Sequence, residues 1–379
     1  MMKKNHVVFT TIYYPEVLLS YFDNIFHHGH LDDTVIWVVG DKKTPVETMT
    51  LCAQMSQKGL DVKYLDIDYQ DSWGKKHRDF YSRIPYNNET RRNIGYLHAL
   101  ENGCERLISI DDDNWPTEDN FVGGHLLTGS LWPTALISEP TGFHNICEYL
   151  EFDVSRPIYP RGFPFNLRGI ENKQRETPPS PDAAIGVTGG LWLREPDVDA
   201  TTWLNGKISG INYTGPDNFA LDQNTWSPIN TQNTSVIREL IPAYLCIPMG
   251  WKVPGGQIQR YGDIWGGYFL QAIMRNTRYV AAFGRPLLDH RRNPHNYTDD
   301  LRQEFWGMIL TDWLIDILRR DFKPVDDDIC DRVMHLSDFL KTSGIKQLPS
   351  WCAVEMKDFI AHTADNLSAW SQVCRKIRG

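Results

Sequence analysis

Three consecutive aspartates follow an apolar run and carry the clearest chemical signal in the sequence. The stretch LISIDDDNWP, residues 107–116, has the pattern of a strand that ends in Asp111, Asp112 and Asp113 before a proline. Because residues two apart in an extended segment point the same way, Asp111 and Asp113 can converge on one ion while Asp112 faces elsewhere. Carboxylate oxygens suit Mg²⁺ or Mn²⁺, which commonly complete their coordination with substrate phosphates. The spacing predicts a divalent-metal site for a diphosphate ligand; the alternative is a solvated turn or a helix cap.

A second aspartate triplet, residues 326–328, has a different context. It follows Lys323 and Pro324 and precedes the helical pattern ICDRVMHLSDFL. Acidic residues are favoured in the first turn of a helix because they interact well with the positive end of the helix dipole. We therefore predict a structural role for this triplet and a chemical role for residues 111–113.

The elements that must position the first triplet alternate along the first 115 residues. Strands are expected over residues 6–14, 34–41, 61–68 and 106–113, and helices over residues 16–26, 45–58 and 89–103. Alternation at these spacings predicts an α/β fold with a mostly parallel, doubly wound sheet flanked by helices. In such sheets ligands bind beyond the carboxyl ends of the strands, which is where the aspartates lie.

Length, charge and cysteine usage exclude several classes of protein. A chain of 379 residues, 41% of them hydrophobic, can bury a large core, and a net charge of −9 argues against a nucleic-acid surface. Seven scattered cysteines without a CxxC pair disfavour a disulfide framework and a zinc site. The chain has neither a long apolar run nor a secretory signal behind its basic start, so we predict a cytoplasmic protein without a membrane span.

The rest of the chain divides into polar stretches and a helical end. Residues 172–181 and 205–234 have little periodicity and are predicted to be loops that act as lids or acceptor surfaces. From Thr298 onward the pattern turns helical, beginning with the amphipathic DLRQEFWGMILTDWLIDILRR. We therefore expect one domain over residues 1–297 and a helical extension over residues 298–379 that could form a homo-oligomer interface.

Several motifs in the same order resemble known families. The motifs VVGDKKTP, RRNIGYLHALENG, SIDDDNWP, QRYGDIWGGYF and RRNPHNY resemble the STELLO-type glycosyltransferase family. The aspartate triplet, PRGFPFNLRG and GVTGGLWL also resemble the plant reversibly glycosylated polypeptides, which act as UDP-arabinopyranose mutases. The resemblance runs from about Val7 to Tyr297. Both families imply a GT-A-like nucleotide-sugar fold over residues 1–297 with a metal-binding DxD motif.

The resemblance implies roles for residues near the strand ends. Residues 111–113 match the families' motif for the metal and the nucleotide sugar. Thr10, Thr11 and Asp41 lie at the ends of the first two strands, where such folds hold the base and the ribose. Arg92 begins the helix of RRNIGYLHAL, and its guanidinium could bind the diphosphate with two parallel hydrogen bonds.

A catalytic acid and a histidine ligand are implied further along the chain. Asp263, in RYGDIWGGYF, lies where the resembled fold has an acid that removes a proton from an acceptor hydroxyl, although it could also cap a helix. His290 and His295 lie in a polar loop, where a histidine completes the metal shell in many GT-A enzymes. Two candidates share this one role, and the sequence does not choose between them.

Arg161 leaves the type of reaction open. In PRGFPFNLRG it matches the arginine that is reversibly glycosylated in the mutase family. A protonated arginine is a poor nucleophile unless a carboxylate takes its proton, so binding of sugar or phosphate is the favoured role. Gly189 and Gly190, in GVTGGLWL, are expected to let the backbone approach the sugar.

These residues predict a Mn²⁺- or Mg²⁺-dependent glycosyltransferase. Its donor would be a nucleotide diphosphate sugar, most simply a UDP-sugar, and its acceptor is not specified by the sequence. The alternatives are a UDP-sugar mutase of the arabinopyranose type, reversibly glycosylated at Arg161, and a protein that binds sugar nucleotides without catalysis.

Overall fold

The computed structural model describes residues 3–171, 173–253 and 255–379. Its strands are β1 (Asn5–Thr10), β2 (Thr34–Val39), β3 (Asp61–Leu65), β4 (Arg106–Ile110), β5 (Asn114–Pro116), β6 (Leu136–Ser138), β7 (Leu150–Phe152), β8 (Arg175–Thr177), β9 (Ala184–Arg194), β10 (Gly210–Tyr213), β11 (Asn218–Leu221), β12 (Asn233–Ile237), β13 (Trp251–Val253), β14 (Gly256–Ile258) and β15 (Tyr279–His290). Its α-helices are α1 (Val17–His27), α2 (Glu47–Gln57), α3 (Ile67–Gly74), α4 (Arg78–Tyr81), α5 (Arg92–Glu101), α6 (Phe121–His125), α7 (Ala200–Leu204), α8 (Gly262–Met274), α9 (Tyr297–Arg320), α10 (Ile329–Phe339) and α11 (Ala353–Arg378).

A large mixed sheet forms the centre of the molecule. Its strand order is β3-β2-β1-β4-β12-β9-β15-β11-β6-β8. The four N-terminal strands are parallel, with β1 between β2 and β4. Strand β12 runs antiparallel to both β4 and β9, whereas β9 and β15 are parallel to each other. The N-terminal strands therefore all direct their carboxyl ends to one edge of the sheet.

Helices cover both faces of this sheet. Along β1, Val7 and Phe9 pack in a cluster with Leu18 of α1, and Val8 packs on the opposite face in a cluster with Leu97 of α5. All six residues of β2 are buried, as expected of a strand with helices on both sides. The predicted fold class is confirmed: a doubly wound α/β sheet flanked by helices, with a helical C-terminal region.

Helix α5 lies unusually close to β1 because of one glycine. A Cβ on Gly95 would lie 2.4 Å from Cγ1 of Val8 and 2.8 Å from Cγ2 of Val39. A 3₁₀ turn, Glu89–Arg91, precedes the helix, and the Asn88 side chain accepts from the Thr90 backbone nitrogen at 3.0 Å. This packing brings the first residue of α5 to the carboxyl end of β4.

The two predicted loops contain strands. Within residues 205–234 the chain forms β10, β11 and the start of β12, so the expectation of one long loop was wrong. Each of these strands has only four or five residues and contains an asparagine, which is depleted in strands, so pairing with β7, β15 and β4 contributes much of their stability. Within residues 172–181, β8 pairs with β6, and Asn172 lies outside the described residues.

The C-terminal helices pack on the sheet domain. Their apolar side chains belong to the same cluster as α5 and α8, and the Trp370 indole donates to the Pro242 carbonyl at 2.9 Å. The division at residues 297 and 298 stays a prediction. Across the three described ranges, no helix combines the length and apolar character needed to cross a membrane.

The second aspartate triplet begins a helix, as predicted. The Asp328 carboxylate accepts from the backbone nitrogens of Cys330 at 2.8 Å and Asp331 at 3.2 Å, which caps α10.

Candidate active site

Two cavities that share residues lie at the carboxyl ends of β1 and β4. The smaller has a volume of about 190 Å³ and the larger about 350 Å³. Both are lined by Glu89, Arg92, Asp111, Asp113 and His295. They form one candidate site. The smaller cavity is its inner, more charged part, and the larger cavity is its outer, less charged part.

The aspartate triplet divides as its spacing predicts. Asp111 and Asp113 line the smaller cavity, whereas Asp112 lines only the larger one. Asp112 accepts from the Thr11 hydroxyl at 2.5 Å. Asp111 accepts from Nη2 of Arg92 at 2.5 Å, so the inner carboxylate is already paired with a cation.

Burial acts to raise the pKa of all three aspartates, but their different partners oppose it to different extents. Burial raises the pKa of Asp112 to about 7, against the opposing effect of the Thr11 hydrogen bond. Burial also raises the pKa of Asp111, with Arg92 opposing it. For Asp113 the effect of burial is outweighed by the imidazole of His290, which holds its pKa below the usual value.

His290 pairs with Asp113, the last carboxylate of the triplet. Its Nε2 lies 3.6 Å from Oδ2 of Asp113, and although burial opposes it, this contact raises the pKa of His290. His290 Nδ1 is buried without a hydrogen-bond partner among the described residues. His295, by contrast, lies 2.9 Å from Oδ2 of Asp300, so it is already held by its own carboxylate.

The donor types around the triplet fit a divalent cation, but a complete coordination shell is not present. Asp111, Asp113 and His290 line the same cavity and offer carboxylate oxygens and an imidazole nitrogen. Within the described ranges, no group of three or more His, Cys, Asp or Glu side chains is arranged to hold a metal ion. Arg92 occupies the position beside Asp111. Metal binding at the triplet therefore stays a prediction.

Arg161 is held by five hydrogen bonds, four of them to two carboxylates. Its Nε donates to Oδ1 of Asp197 at 2.8 Å, and its Nη2 donates to Oδ2 of Asp197 at 3.2 Å and to Oδ2 of Asp263 at 2.7 Å. Its Nη1 donates to Oδ1 of Asp263 at 3.1 Å and to the Arg260 carbonyl. An arginine has five N–H donors, and all five of these have an acceptor. The side chain is only 7% exposed.

Local structure explains why Arg161 points into the cavity. Its backbone nitrogen donates to the Asp197 carbonyl at 2.9 Å, and Gly162 adopts a φ of +85°. A Cβ on Gly162 would lie 2.3 Å from Cγ2 of Ile264, so this turn requires glycine. The Tyr268 hydroxyl fixes the turn by donating to the Gly162 carbonyl at 2.7 Å.

The two carboxylates around Arg161 come from different elements. Asp263 lies in the first turn of α8, and Asp197 follows the end of β9. Asp197 also accepts from the Asn230 amide at 2.7 Å. Burial acts against its ionisation, but Arg161 lowers the pKa of Asp197 to about 2. Asp197 is therefore ionised at neutral pH.

Further cations line the smaller cavity. Arg260 is bound to Glu304 at 2.9 Å, and Nη2 of Arg292 lies 3.9 Å from Oδ2 of Asp300. Both belong to the smaller cavity together with Arg92 and Arg161. A cavity with this many guanidinium groups can stabilise a leaving anion.

Three of the predicted site residues do not line either cavity. Asp41 accepts from the backbone nitrogens of Lys42 at 2.7 Å and Asn88 at 3.2 Å, so it supports the segment that leads to Glu89. Gly189 and Gly190 lie within β9, between β12 and β15.

The two glycines are needed for packing between strands. A Cβ on Gly190 would lie 2.2 Å from the Asn233 side chain and 2.6 Å from the Pro286 carbonyl, and one on Gly189 would lie 2.9 Å from the Phe283 ring. Of the other predicted residues, Thr10 and Thr11 line the larger cavity, and Arg161 and Asp263 the smaller one.

Asp197 and Arg260 were missed by reasoning from sequence. Asp197 lies in REPDVDA, directly beyond a buried strand, and this position at a strand's carboxyl end could have identified it. Arg260 has no comparable signal, because its role depends on Glu304, which is 44 residues away in the chain.

Comparison with known proteins places the chain in a family. Residues 74–373 match the family model for reversibly glycosylated polypeptide. The chain belongs to the reversibly glycosylated polypeptide family. This confirms the second of the two relationships that the motifs suggested.

Curated relatives from plants match somewhat less than two thirds of the chain. UDP-arabinopyranose mutase 1 of Arabidopsis thaliana is 29% identical over 246 residues, which cover 62% of this chain and 60% of the relative. Probable UDP-arabinopyranose mutase 2 of Solanum tuberosum is 28% identical over 253 residues, which cover 65% and 62%. The chain thus matches a little over 60% of the length of these relatives.

Distant solved structures were also found. TarS 1–349 of S. aureus in complex with UDP-GlcNAc is 11% identical with a TM-score of 0.45, covering 100% of this chain and 92% of that chain. Glucosyl-3-phosphoglycerate synthase of Mycobacterium tuberculosis in complex with Mn²⁺ and UDP-glucose is 13% identical with a TM-score of 0.39, covering 82% and 78%.

Proposed function

We propose that this protein is an enzyme that binds a UDP-sugar in the two cavities and transfers the sugar reversibly to Arg161, in a mutase-type reaction. The observation that supports this most strongly is the position of Arg161 between Asp197 and Asp263 at the charged cavity. An arginine can act as a nucleophile only if a base takes its proton, and here two carboxylates accept its N–H groups. The names of the plant relatives agree with this chemistry.

The first step exchanges one bond for another. Asp263 accepts a proton from an Nη of Arg161, and the freed nitrogen lone pair attacks the anomeric carbon. The bond from that carbon to the diphosphate oxygen breaks, and its electron pair leaves with UDP. Asp197 remains ionised and keeps Nε in place, because its pKa of about 2 makes it a poor proton acceptor.

A change of ring form follows on the adduct. The lone pair of the substituted guanidine assists cleavage of the ring carbon–oxygen bond, and the ring oxygen takes the proton that Asp263 accepted in the first step. A different hydroxyl of the sugar then adds to the same carbon and returns its proton to Asp263. In the last step a diphosphate oxygen attacks that carbon, and Arg161 leaves with its electron pair and regains its proton from Asp263.

The surrounding residues would stabilise the departing diphosphate. Arg92, Arg260 and Arg292 line the same cavity as Arg161, so negative charge that develops on the leaving oxygen meets fixed cations. A Mn²⁺ or Mg²⁺ ion held by Asp111 and Asp113, with His290 as a third donor, would add to this neutralisation. The larger cavity, lined by Thr10, Thr11 and other residues, has room for the nucleoside.

Glycosyl transfer to a separate acceptor is the second candidate. It is favoured by the position of Asp263, which lines the cavity and could deprotonate an acceptor hydroxyl. Both oxygens of Asp263, however, accept hydrogen bonds from Arg161, so the two side chains must separate before Asp263 can act as a base for an acceptor.

A third candidate is a binding protein without catalysis, which would share the cavities and release no UDP. The cytoplasmic location stays a prediction.

The decisive experiment compares adduct formation with turnover. The wild-type protein is incubated with a panel of UDP-pentoses and UDP-hexoses, and UDP release and intact mass are measured. We expect an increase of one sugar mass that is reversed by excess UDP and absent in Arg161→Lys. Arg168→Lys is the matched control, because Arg168 lies seven residues away in the chain and pairs with Asp199 instead. UDP release without any adduct would favour the transferase.

A further inference from the structure

A third cavity lies behind the loop that carries Arg161. It has a volume of about 450 Å³, within the range of small-molecule sites, and Pro164 and Leu167 of that loop form one of its walls. The Asp312 carboxyl of α9 also lines this cavity, and the backbone amides of Phe165 and Asn166 donate to it. Its residues differ from those of the two cavities described above.

Two guanidinium groups in this cavity have no carboxylate within ion-pairing distance in the described ranges. Within 4 Å, neither Arg275 nor Arg319 meets a carboxylate oxygen of residues 3–171, 173–253 or 255–379, and each lies near the Trp226 ring, at 5.8 and 5.9 Å from its centroid. Burial lowers the pKa of both side chains and Arg319 lowers that of Arg275 further, whereas Asp222 and Asp316 act on Arg319 in the opposite direction from a greater distance. Two neighbouring, half-buried cations without a direct carboxylate contact favour an anion between them.

Only some of the N–H donors of Arg275 and Arg319 are used in hydrogen bonds to the protein. Arg275 binds the carbonyls of Leu318, Arg319 and Phe322 with Nη1 and Nη2, which caps the carboxyl end of α9. Its Nε is buried and has no partner among the described residues. Arg319 donates from Nη1 to the Thr141 carbonyl at 3.2 Å and from Nη2 to the Asn224 carbonyl at 3.1 Å. Each group retains N–H donors beyond these bonds.

An unused acceptor lies in the same cavity. Oδ1 of Asp312 is buried without a partner in the described part of the chain. Asp316 also lines the cavity, but it is bound to Arg320 at 2.5 Å. The cavity therefore combines two guanidinium groups that lack a direct carboxylate contact among the described residues with one acceptor suited to a hydroxyl group.

We propose that this cavity binds a small phosphorylated polyhydroxy compound, with the phosphate on Arg275 and Arg319 and a hydroxyl on Asp312. Two guanidinium groups match the double charge of a phosphate better than the single charge of a carboxylate. The ligand would contact the loop of Arg161 from behind and so couple its occupancy to the position of that arginine. This inference does not depend on the reaction proposed above.

Calorimetric titration tests the proposal with glucose 6-phosphate as the probe. Inorganic phosphate and acetate separate phosphate from carboxylate chemistry, and glucose is the neutral control. We expect Arg319→Gln to weaken glucose 6-phosphate binding about tenfold or more, since a charge-assisted hydrogen bond contributes at least that factor. Arg302→Gln, on the same helix and paired with Asp299, should bind as the wild type does. Arg292→Gln should also bind normally, because Arg292 lines the smaller cavity of the candidate active site.

Several outcomes would overturn the proposal. They are wild-type affinity in Arg319→Gln, loss of binding in Arg292→Gln, acetate binding as tightly as phosphate, or no binding of either phosphate compound. Because Arg319→Gln could disturb folding, hydrogen exchange on the wild-type protein supplies a second measurement. Glucose 6-phosphate should slow exchange in residues 163–167 and 312–320; protection confined to residues 87–92 and 111–113 would contradict the proposal.

Discussion

Arg161 and Asp263 face each other through two parallel hydrogen bonds. Nη1 lies 3.1 Å from Oδ1 and Nη2 lies 2.7 Å from Oδ2, while Asp197 binds the same guanidinium from the Nε side. One cation thus lies between two anions in a site where all three side chains are nearly buried. This arrangement is the basis for both the chemistry and the pH dependence expected of the protein.

Removing the cation should destabilise the fold in a pH-dependent way. Arg161→Met leaves two buried carboxylates without a neutralising cation, so we expect a loss of about 3–5 kcal/mol in the free energy of unfolding at pH 7. The pKa of Asp197 is held near 2 in the folded protein, so its favourable contribution is present above about pH 4 and disappears as the pH falls toward 2. Urea unfolding from pH 7 to pH 3 measures this effect. The difference between variant and wild type should shrink on acidification; a constant difference would contradict the pairing.

Asp112 should make the protein less stable as the pH rises from about 4 to about 7. Its pKa of about 7 in the folded state lies above its value in an unfolded chain, so the folded protein binds the extra proton between about pH 4 and pH 7. Asp112→Asn should therefore gain stability relative to wild type as the pH rises to about 7 and then level off. Asp113→Asn is the control, because the pKa of Asp113 is lowered, so this carboxyl is already ionised above about pH 4 and its removal should give no such gain between pH 4 and pH 7. Thermal unfolding across this range distinguishes the two.

The metal prediction can be tested without activity. If Asp111 and Asp113 hold a divalent cation beside the diphosphate, UDP should raise the melting temperature of the wild type more with Mn²⁺ than without it. Asp113→Ala should abolish this metal-dependent part. An equal shift by UDP with and without metal would contradict a metal site at the triplet.

His290 should be the histidine that responds to metal. Its Nε2 faces Asp113, whereas His295 is engaged by Asp300. We expect His290→Ala to lose the Mn²⁺-dependent thermal shift and His295→Ala to keep most of it. The reverse pattern would show that the pairing with Asp300 breaks when metal binds.

The two aspartate triplets should behave in opposite ways. Asp328 caps α10, so Asp328→Ala should cost about 1 kcal/mol of stability and leave UDP binding unchanged. Chemical denaturation and UDP titration measure the two properties. Loss of UDP binding in Asp328→Ala would contradict a purely structural role.

The sequence predicted the parts of the site that depend on local pattern. The apolar run before Asp111 and the alternation of strands and helices placed the triplet at the edge of the sheet, where the structure has it. The helical pattern after residues 326–328 likewise predicted that this triplet begins a helix.

The parts that depend on contacts between distant segments were missed. Arg161 is 36 residues from Asp197 and 102 from Asp263 in the chain, and no local pattern shows that they meet. Gly189 and Gly190 were predicted to let the backbone approach the sugar; that role stays a prediction, and the side chains and backbone that a Cβ would meet belong to neighbouring strands. The strands in residues 205–234 have weak propensity and form because distant strands pair with them.

The central claim is that Arg161 itself carries the sugar. The measurement that tests it most directly is fragmentation mass spectrometry of the peptide that contains residue 161, after incubation with a UDP-sugar. We predict one sugar on the Arg161 side chain and its removal when excess UDP is added. A sugar on another residue of the same preparation, or an unmodified peptide from protein that turns over the UDP-sugar, would contradict this account.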